Sequence, residues 1–278
     1  MPTATTPKKF AMQQVFEILL QKPSDGSIIA YLTDTKTSGL ENTVEMVYPT
    51  GARGNVYIGG GFAHSRRAKA NVSVATWNTE VMAAQNGAVI DTTVDSVTQY
   101  DVIQAVAGAQ AGDPAVLKTT YKAIGTAGTE IGFLYKLNDD GTPETTLTQD
   151  TSASSGKFTY DATSKTFTFA EANAPVAGDF YACVYEFEPA AASQITISGD
   201  SIPDVALATF YGLARDICDG TLYPAQIQGR VQIDGNWSFD VSADGDPAVQ
   251  DLSMEFVKGC LEQDLYKFTI YTDEEASA

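Results

Sequence analysis

The side chains able to do chemistry are few, and their spacing limits what they can do. The chain holds three cysteines, Cys183, Cys218 and Cys260, and one histidine, His64. The cysteines are odd in number and far apart, with no Cys-x-x-Cys and no histidine beside them, so neither a disulfide framework nor a zinc site is expected. All three read as buried thiols, which behave as small hydrophobes. Cys218 alone invites a nucleophile reading, and its neighbours Asp216 and Asp219 would raise rather than lower a thiol pKa. No nucleophile and acid can be grouped around His64 from spacing. Carboxylate pairs abound, but none stands in an apolar setting that would drive two pKa values apart, as glycoside hydrolysis requires. The reading is a non-enzyme without a cofactor.

Two further stretches tempt a ligand and are better read as turns. Gly59-Gly60-Gly61 would cradle a phosphate only if a helix followed, yet FAHSRRAKANVSVATW alternates like a strand, so a bend or bulge is expected. Asp139 and Asp140 lack the alternate oxygens and closing Glu of a calcium loop. With Asn138 and Gly141 they make a hairpin turn.

Charge excludes more than motifs do. Thirty-five acidic residues against 17 basic ones give a formal charge of −18, which repels phosphate backbones and anionic membranes over about one Debye length, ~8–10 Å. Sequence-specific nucleic-acid binding is therefore not expected. The one basic cluster is His64, Arg66, Arg67 and Lys69, either a solvated face or an edge that pairs with a neighbour's acids. With 44% apolar and 19% charged residues the composition is globular. No run reaches the ~20 apolar residues of a membrane helix. The Phe10–Leu20 patch precedes no small-residue cleavage site, so synthesis in a cytoplasm is expected.

The elements that must hold these residues are strands. Within Gly235–Tyr271, Trp237, Phe239 and Val241, then Leu252, Met254 and Phe256, then Tyr266, Phe268 and Ile270 recur at a spacing of two. Broken at Asp244–Pro247 and Gly259–Asp264, they predict a three-stranded meander with one face needing cover. Val15, Phe16 and Ile18 open a segment apolar on both faces, which predicts burial or packing at an interface, and SIIAYLT returns as a hairpin. Strands over Glu41–Tyr48 and from Phe62 follow. WNTEVMAAQN is the one helical stretch, with Asn78 or Thr79 to cap it and Gly87 to end it. Gly108–Pro114 has linker character. Beyond it VLKTTYKAI, TEIGFLYKLN, TTLTQ, KFTYD, KTFTFA and DFYACVYEFE predict a small immunoglobulin-like sandwich. The predicted fold is all-β with one short helix: a discontinuous core of residues 1–112 plus 191–278, interrupted by an inserted domain, 113–190.

The Gly235-Asn236-Trp237-Ser238-Phe239 strand, the Gly245–Asp251 turn into SMEF and the closing LYKFTIY resemble the tail tube (major tail) proteins of tailed bacteriophages. Ser38–Thr43 with Tyr48, and Phe62–Arg66, are similar as well. The resemblance spans both flanks of the insert. It implies a β-sandwich or barrel core with one packed helix, and a virion structural protein of the phage tail, assembled in the host cytoplasm. It further implies stacked, hexameric rings around a channel through which DNA passes unbound, in contact with other tail proteins such as the tape measure and a sheath, and with no membrane. The immunoglobulin-like domain of such proteins commonly follows the core; here it interrupts it. The interface candidates under this resemblance are His64, Arg66, Arg67, Lys69, Val15, Phe16 and Ile18. A loop with Gly51, Gly54, Gly59, Gly60 and Gly61 would order only against the next subunit or ring. Two readings stand beside it: another particle component, such as a capsid decoration or head-to-tail connector, and a carbohydrate-binding adhesin using Tyr135, Tyr160 and Tyr181.

Overall fold

A computed structural model describes residues 6–48, 61–110, 113–238, 248–259 and 264–272. Gly51, Gly54, Gly59, Gly60, Cys260, Phe239, Val241 and the Asp244–Pro247 turn lie outside the described residues. The strands in chain order are β1 (Phe10–Met12), β2 (Glu17–Gln21), β3 (Ile28–Leu32), β4 (Thr35–Val47) and β5 (Phe62–Val74). Helix α1 (Thr79–Asn86) follows, then β6 (Ile90–Asp91), β7 (Val97–Gln104), β8 (Phe133–Leu137), β9 (Pro143–Gln149), β10 (Lys157–Asp161), β11 (Thr166–Phe169) and β12 (Phe180–Phe187). The chain closes with β13 (Gln194–Ile195), β14 (Val205–Asp216), β15 (Leu222–Ile233), β16 (Gln250–Phe256) and β17 (Tyr266–Ile270). Among the described residues the fold is all-β with one short α-helix, as the alternation predicts.

The chain divides into two compact units, Met1–Ile90 with Ile195–Ala278, and Asp91–Gln194. In the first, the sheet runs β3-β2-β14-β15-β16-β5-β4. Its centre is the β14–β15 hairpin, paired from Val205↔Gln232 to Arg215↔Leu222. Alternation sets the inward face: Ala206, Ala208, Phe210 and Ala214 on β14, and Ala225, Ile227, Val231 and Ile233 on β15, are buried. All of these but Ala214 and Ala225 join Ile18 and Leu20 of β2, Ala68, Ala70, Val72 and Val74 of β5 and Leu252, Met254 and Phe256 of β16 in one core. Each large apolar side chain enclosed this way contributes about 1.5–3 kcal/mol.

The three strands expected in Gly235–Tyr271 do not form a meander. Trp237 and Ser238 lie in no strand. β16 and β17 both run antiparallel to β15 along the same edge, one after the other, with Val231↔Phe256 and Gly229↔Tyr266 marking the break. The reason is that the other edge of β16 is already taken by β5, from Gln250↔Val74 to Glu255↔Lys69. β1 and β2 divide the far edge of β14 in the same way.

Helix α1 is fixed as its sequence predicts. Asn78 Oδ1 accepts from Val81 N at 3.1 Å, and Gly87 ends the helix at φ 58°, where a Cβ would lie 1.9 Å from Ile202 O. Buried polar groups dock it. Gln250 Nε2 donates to Gln85 Oε1 (3.0 Å), Gln85 Nε2 to Asp251 O (3.0 Å), and Asn78 N to Gln250 Oε1 (3.0 Å).

The second unit starts earlier than residue 113. β7 pairs with β12 along its whole length, from Val97↔Phe187 to Gln104↔Phe180, so the boundary falls at Asp91. The strand escapes a hydrophobic pattern because its inward face carries two polar residues. Asp101, 5% exposed, accepts from Tyr185 Oη (2.7 Å), Thr120 N (2.8 Å) and Gln99 Nε2 (3.0 Å). Gly108–Pro114 is no linker between units: Val106 and Val116 exchange backbone hydrogen bonds of 3.0 and 2.8 Å on either side of it. VLKTTYKAI contributes bridges at Val116, Lys118 and Ala123 rather than a strand. The sheet order is β11-β10-β9-β8-β12-β7, antiparallel except for β9 with β10. It curls strongly: Phe169 of β11 lies 6.3 Å from Tyr181 of β12, though three strands separate them in the ladder. Finally, β6 pairs with β13.

Candidate assembly interface

The sequence-predicted basic residues all fall on β5, and β5 is half of a long arm. β4 and β5 are 13 residues each and pair from Thr35↔Val74 to Val47↔Phe62. β16 accompanies β5 only over Lys69–Val74. Among the described residues Phe62–Ala68 therefore has one ladder partner, β4, and an edge without a second, which is the form of strand that pairs with another chain. The residues at the far end of the arm are apolar and exposed: Met46, Val47, Tyr48 and Phe62, the last 67% exposed. A Cβ on Gly61 would stand 2.6 Å from the Tyr48 ring, so the backbone passes close there.

Alternation sorts the basic cluster onto two faces. Ala68, Ala70, Val72 and Val74 point into the core, and Arg66 continues that row past the core's end, while His64 falls where the β4–β5 register shifts. Arg67 and Lys69 face the other way. The acids nearest three of the four come from the same chain. His64 Nδ1 lies 3.8 Å from Glu45 Oε2, Arg67 Nε 4.0 Å from Glu255 Oε1, and Lys69 Nζ 4.0 Å from Asp234 Oδ2. Such exposed, long pairs contribute little to stability. Arg66 has no ion pair within 4.0 Å among the described residues and lines a recess with Lys258, Asp264, Leu265 and Tyr266. Asn42 Nδ2 donates to Tyr266 Oη at 3.2 Å across this face.

The N-terminal candidates separate by depth. Ile18 is fully enclosed in its own chain's core and is removed from the interface set. Phe16 packs edge-on against Phe210 at 6.0 Å, while Val15 is exposed. Val15, Phe16, Met12, Leu40 and Phe268 line a trough of about 690 Å³, beside which Phe10 stacks on Phe268 at 5.7 Å. Sequence reading places Phe268 and Phe62 in strands but not among the interface candidates, and does not name Met12. The signal was present as apolar residues at alternate positions running past the length the core can cover.

The other candidate chemistry resolves as structure. Burial pushes the Cys183 thiol up to about 12, with the Asp101 charge adding to it, so it is inert at neutral pH. Cys218, expected to be buried, is exposed in the β14–β15 turn, its N–H donating to Asp216 Oδ1 at 2.7 Å. Asp140 Oδ1 accepts from Thr142 N (2.9 Å) and Thr142 Oγ1 (2.6 Å), closing the β8–β9 turn. Tyr181 is buried, and Tyr160 Oη is engaged with Thr119 Oγ1 (2.8 Å) and Ala123 N (3.2 Å); neither is an exposed platform with Tyr135. Among the described residues no group of three or more His, Cys, Asp or Glu is placed to hold a metal ion, and no helix is long and apolar enough to cross a membrane.

A comparison with curated proteins returned no match. A family model does match, over residues 10–264, which covers the arm, the central hairpin, the helix and the insert. The match takes in the Gly235–Phe239 stretch and Phe62–Arg66, which resemble phage tail tube proteins, and stops just before LYKFTIY; the chain belongs to the YomU/Tube protein family.

Proposed function

We propose that this protein is the tail tube subunit of a tailed phage, which self-assembles into stacked hexameric rings whose channel conducts DNA. The observation that carries the reading is that Phe62–Ala68, on an arm with an exposed apolar end, has a ladder partner on one edge only among the described residues. An edge of this kind is completed by a strand from a sister copy, and a heterologous contact of that sort closes into a ring or propagates into a tube. Phe62, Met46 and Tyr48 lose water when the arm docks, and Arg66 meets an acid of the neighbouring copy. The excess of negative charge keeps a passing polyanion from binding the wall. Contacts with the tape measure and a sheath belong to the ends and outer surface of the tube.

Negative-stain microscopy of the purified chain, paired with sedimentation velocity, tests this. Rings or tubes are expected. A species that stays monomeric at high concentration and shows no annular particles would overturn it.

A further inference from the structure

The break between β16 and β17 leaves a recess beside β15. Val231 is paired with Phe256 of β16 and Gly229 with Tyr266 of β17, so Arg230 stands at the seam itself. Its neighbours Ile227, Val231 and Ile233 are buried in the core, and alternation puts Arg230 with Gln228 on the opposite face. On that face Thr209 of β14 lies opposite Gln228, and Gln228 lies opposite Lys267 of β17. Leu207 stands opposite Arg230, with Gln21 beyond it on β2. These residues line a cavity of about 350 Å³, the size of a small-ligand site.

Its donors are unsatisfied. Thr209 is 6% exposed, and its hydroxyl has no hydrogen-bond partner among the described residues. Arg230 Nε is closed to solvent and also lacks an acceptor among them. Neither Arg230 nor Lys267 has a described carboxylate within 4.0 Å, although 35 acidic residues share the chain with 17 basic ones. Asp264, exposed at the rim, is the one acid among the lining residues. A buried donor left without an acceptor is costly, and a charged one more so, so these groups suit an acceptor brought from outside. The local charge, two cations against one acid, is positive within a chain of −18. A long polyanion would feel the repulsion of the whole surface, whereas a small anion at the floor of the recess has both cations within about one Debye length, ~8–10 Å.

We infer that this recess binds a small tetrahedral oxyanion of the phosphate class, with Thr209 at its floor and Arg230 and Lys267 as its cationic walls. At ~4.8 Å between strands, Thr209 and Lys267 stand about 10 Å apart across Gln228, a gap that the long Lys and Arg side chains can close from two sides. Arg230 offers a fork of N–H groups, Lys267 a point charge, and Thr209 and Gln228 a hydroxyl and an amide donor. These donors come from three strands and do not share a plane, so they match the three or four oxygens of a tetrahedral anion better than the two of a carboxylate. The inference is independent of the tube reading, because none of its residues lies on the β4–β5 arm.

Isothermal titration of the full-length protein at constant ionic strength, with inorganic phosphate, sulfate, acetate and a short DNA duplex as probes, tests it. Saturable binding of one phosphate per chain at millimolar concentration is expected, with sulfate close behind. Arg230→Gln should weaken it at least tenfold and Lys267→Gln several-fold. Thr209→Val should weaken it too while keeping or raising the melting temperature, because it removes an unpartnered hydroxyl and fills the same space. Asp264→Asn should tighten binding by removing the like charge at the rim. The proposal is overturned if phosphate shows no saturable binding, if Lys267→Gln and Thr209→Val bind as the parent does, or if acetate or the duplex binds more tightly than phosphate. A melting temperature lowered by Asp264→Asn, with phosphate binding unchanged, would assign the two cations to Asp264 and overturn it as well.

Discussion

Gln85 and Gln250 are each wholly buried, and their amides satisfy one another and the backbone on both sides. A buried network of this kind is strong only while every member is present. Gln85→Ala leaves the Gln250 amide donor and the Asp251 carbonyl without their partners, so a loss of about 1–3 kcal/mol in unfolding free energy is expected by urea titration. Gln250→Ala should cost a comparable amount, and the double variant less than the sum of the two. Additive losses would show that the amides act independently. Asp101 makes the second residue-scale case. Burial pushes its carboxyl up, but hydrogen bonds from the Thr120 N–H, Tyr185 and Gln99 outweigh this and hold it below the usual carboxylate range. A depressed folded pKa stabilises above the unfolded value, about 3.9, and that stability is lost as pH falls through the folded pKa. Asp101→Asn should therefore melt below the parent at pH 7, with the gap narrowing below about pH 4. A gap constant from pH 7 to pH 3 would show that the charge is not what matters.

At the scale of elements, the β4–β5 arm separates folding from association. Arg66 has no intramolecular ion pair among the described residues, whereas Arg67 stands by Glu255. Arg66→Glu is expected to leave the melting temperature within about 1 °C of the parent while reducing the fraction sedimenting as large species several-fold. Arg67→Glu faces a like charge within its own fold, so part of its effect should appear in the melt. Equal sedimentation profiles for parent and Arg66→Glu would remove Arg66 from the interface. Much of this element was legible: Ala68, Ala70, Val72 and Val74 announce β5, Asn78 and Gly87 bracket α1, and the strands around Phe158, Phe167 and Cys183 were placed. What could not be read is pairing. Alternation says which face a strand buries, not which neighbour it takes, so β16 and β17 looked like a hairpin until β5 was seen on β16's other edge. β7 was missed because Gln99 and Asp101 point inward, where hydrogen-bond partners replace apolar contact. Ile18 looked like an interface residue because sequence cannot tell burial in a core from burial against a neighbour.

For the whole molecule, charge opposes what the edges favour. Each copy carries −18, and self-repulsion acts over ~30 Å at 0.01 M salt but only ~10 Å at 0.1 M. Assembly driven by strand pairing and apolar burial should thus strengthen as salt rises, read by sedimentation velocity or light scattering at fixed protein concentration. Weakening with salt would mean that ion pairs such as Arg66 with a partner's acid dominate. The sequence announced this balance through composition alone, but not where its few cations gather. The recess around Thr209 emerges only once β14, β15 and β17 are in register.

One consequence follows from the short ladder of β6 with β13. The chain departs the first unit at Ile90 and resumes it at Ile195, and paired strands run about 5 Å apart. A short Gly-Ser connector reaches that far, so a chain with 91–194 replaced by one is expected to keep the first unit folded, which circular dichroism and a thermal melt would check. The same seam is where a reporter with neighbouring termini could be grafted without lengthening the path of the first unit's chain.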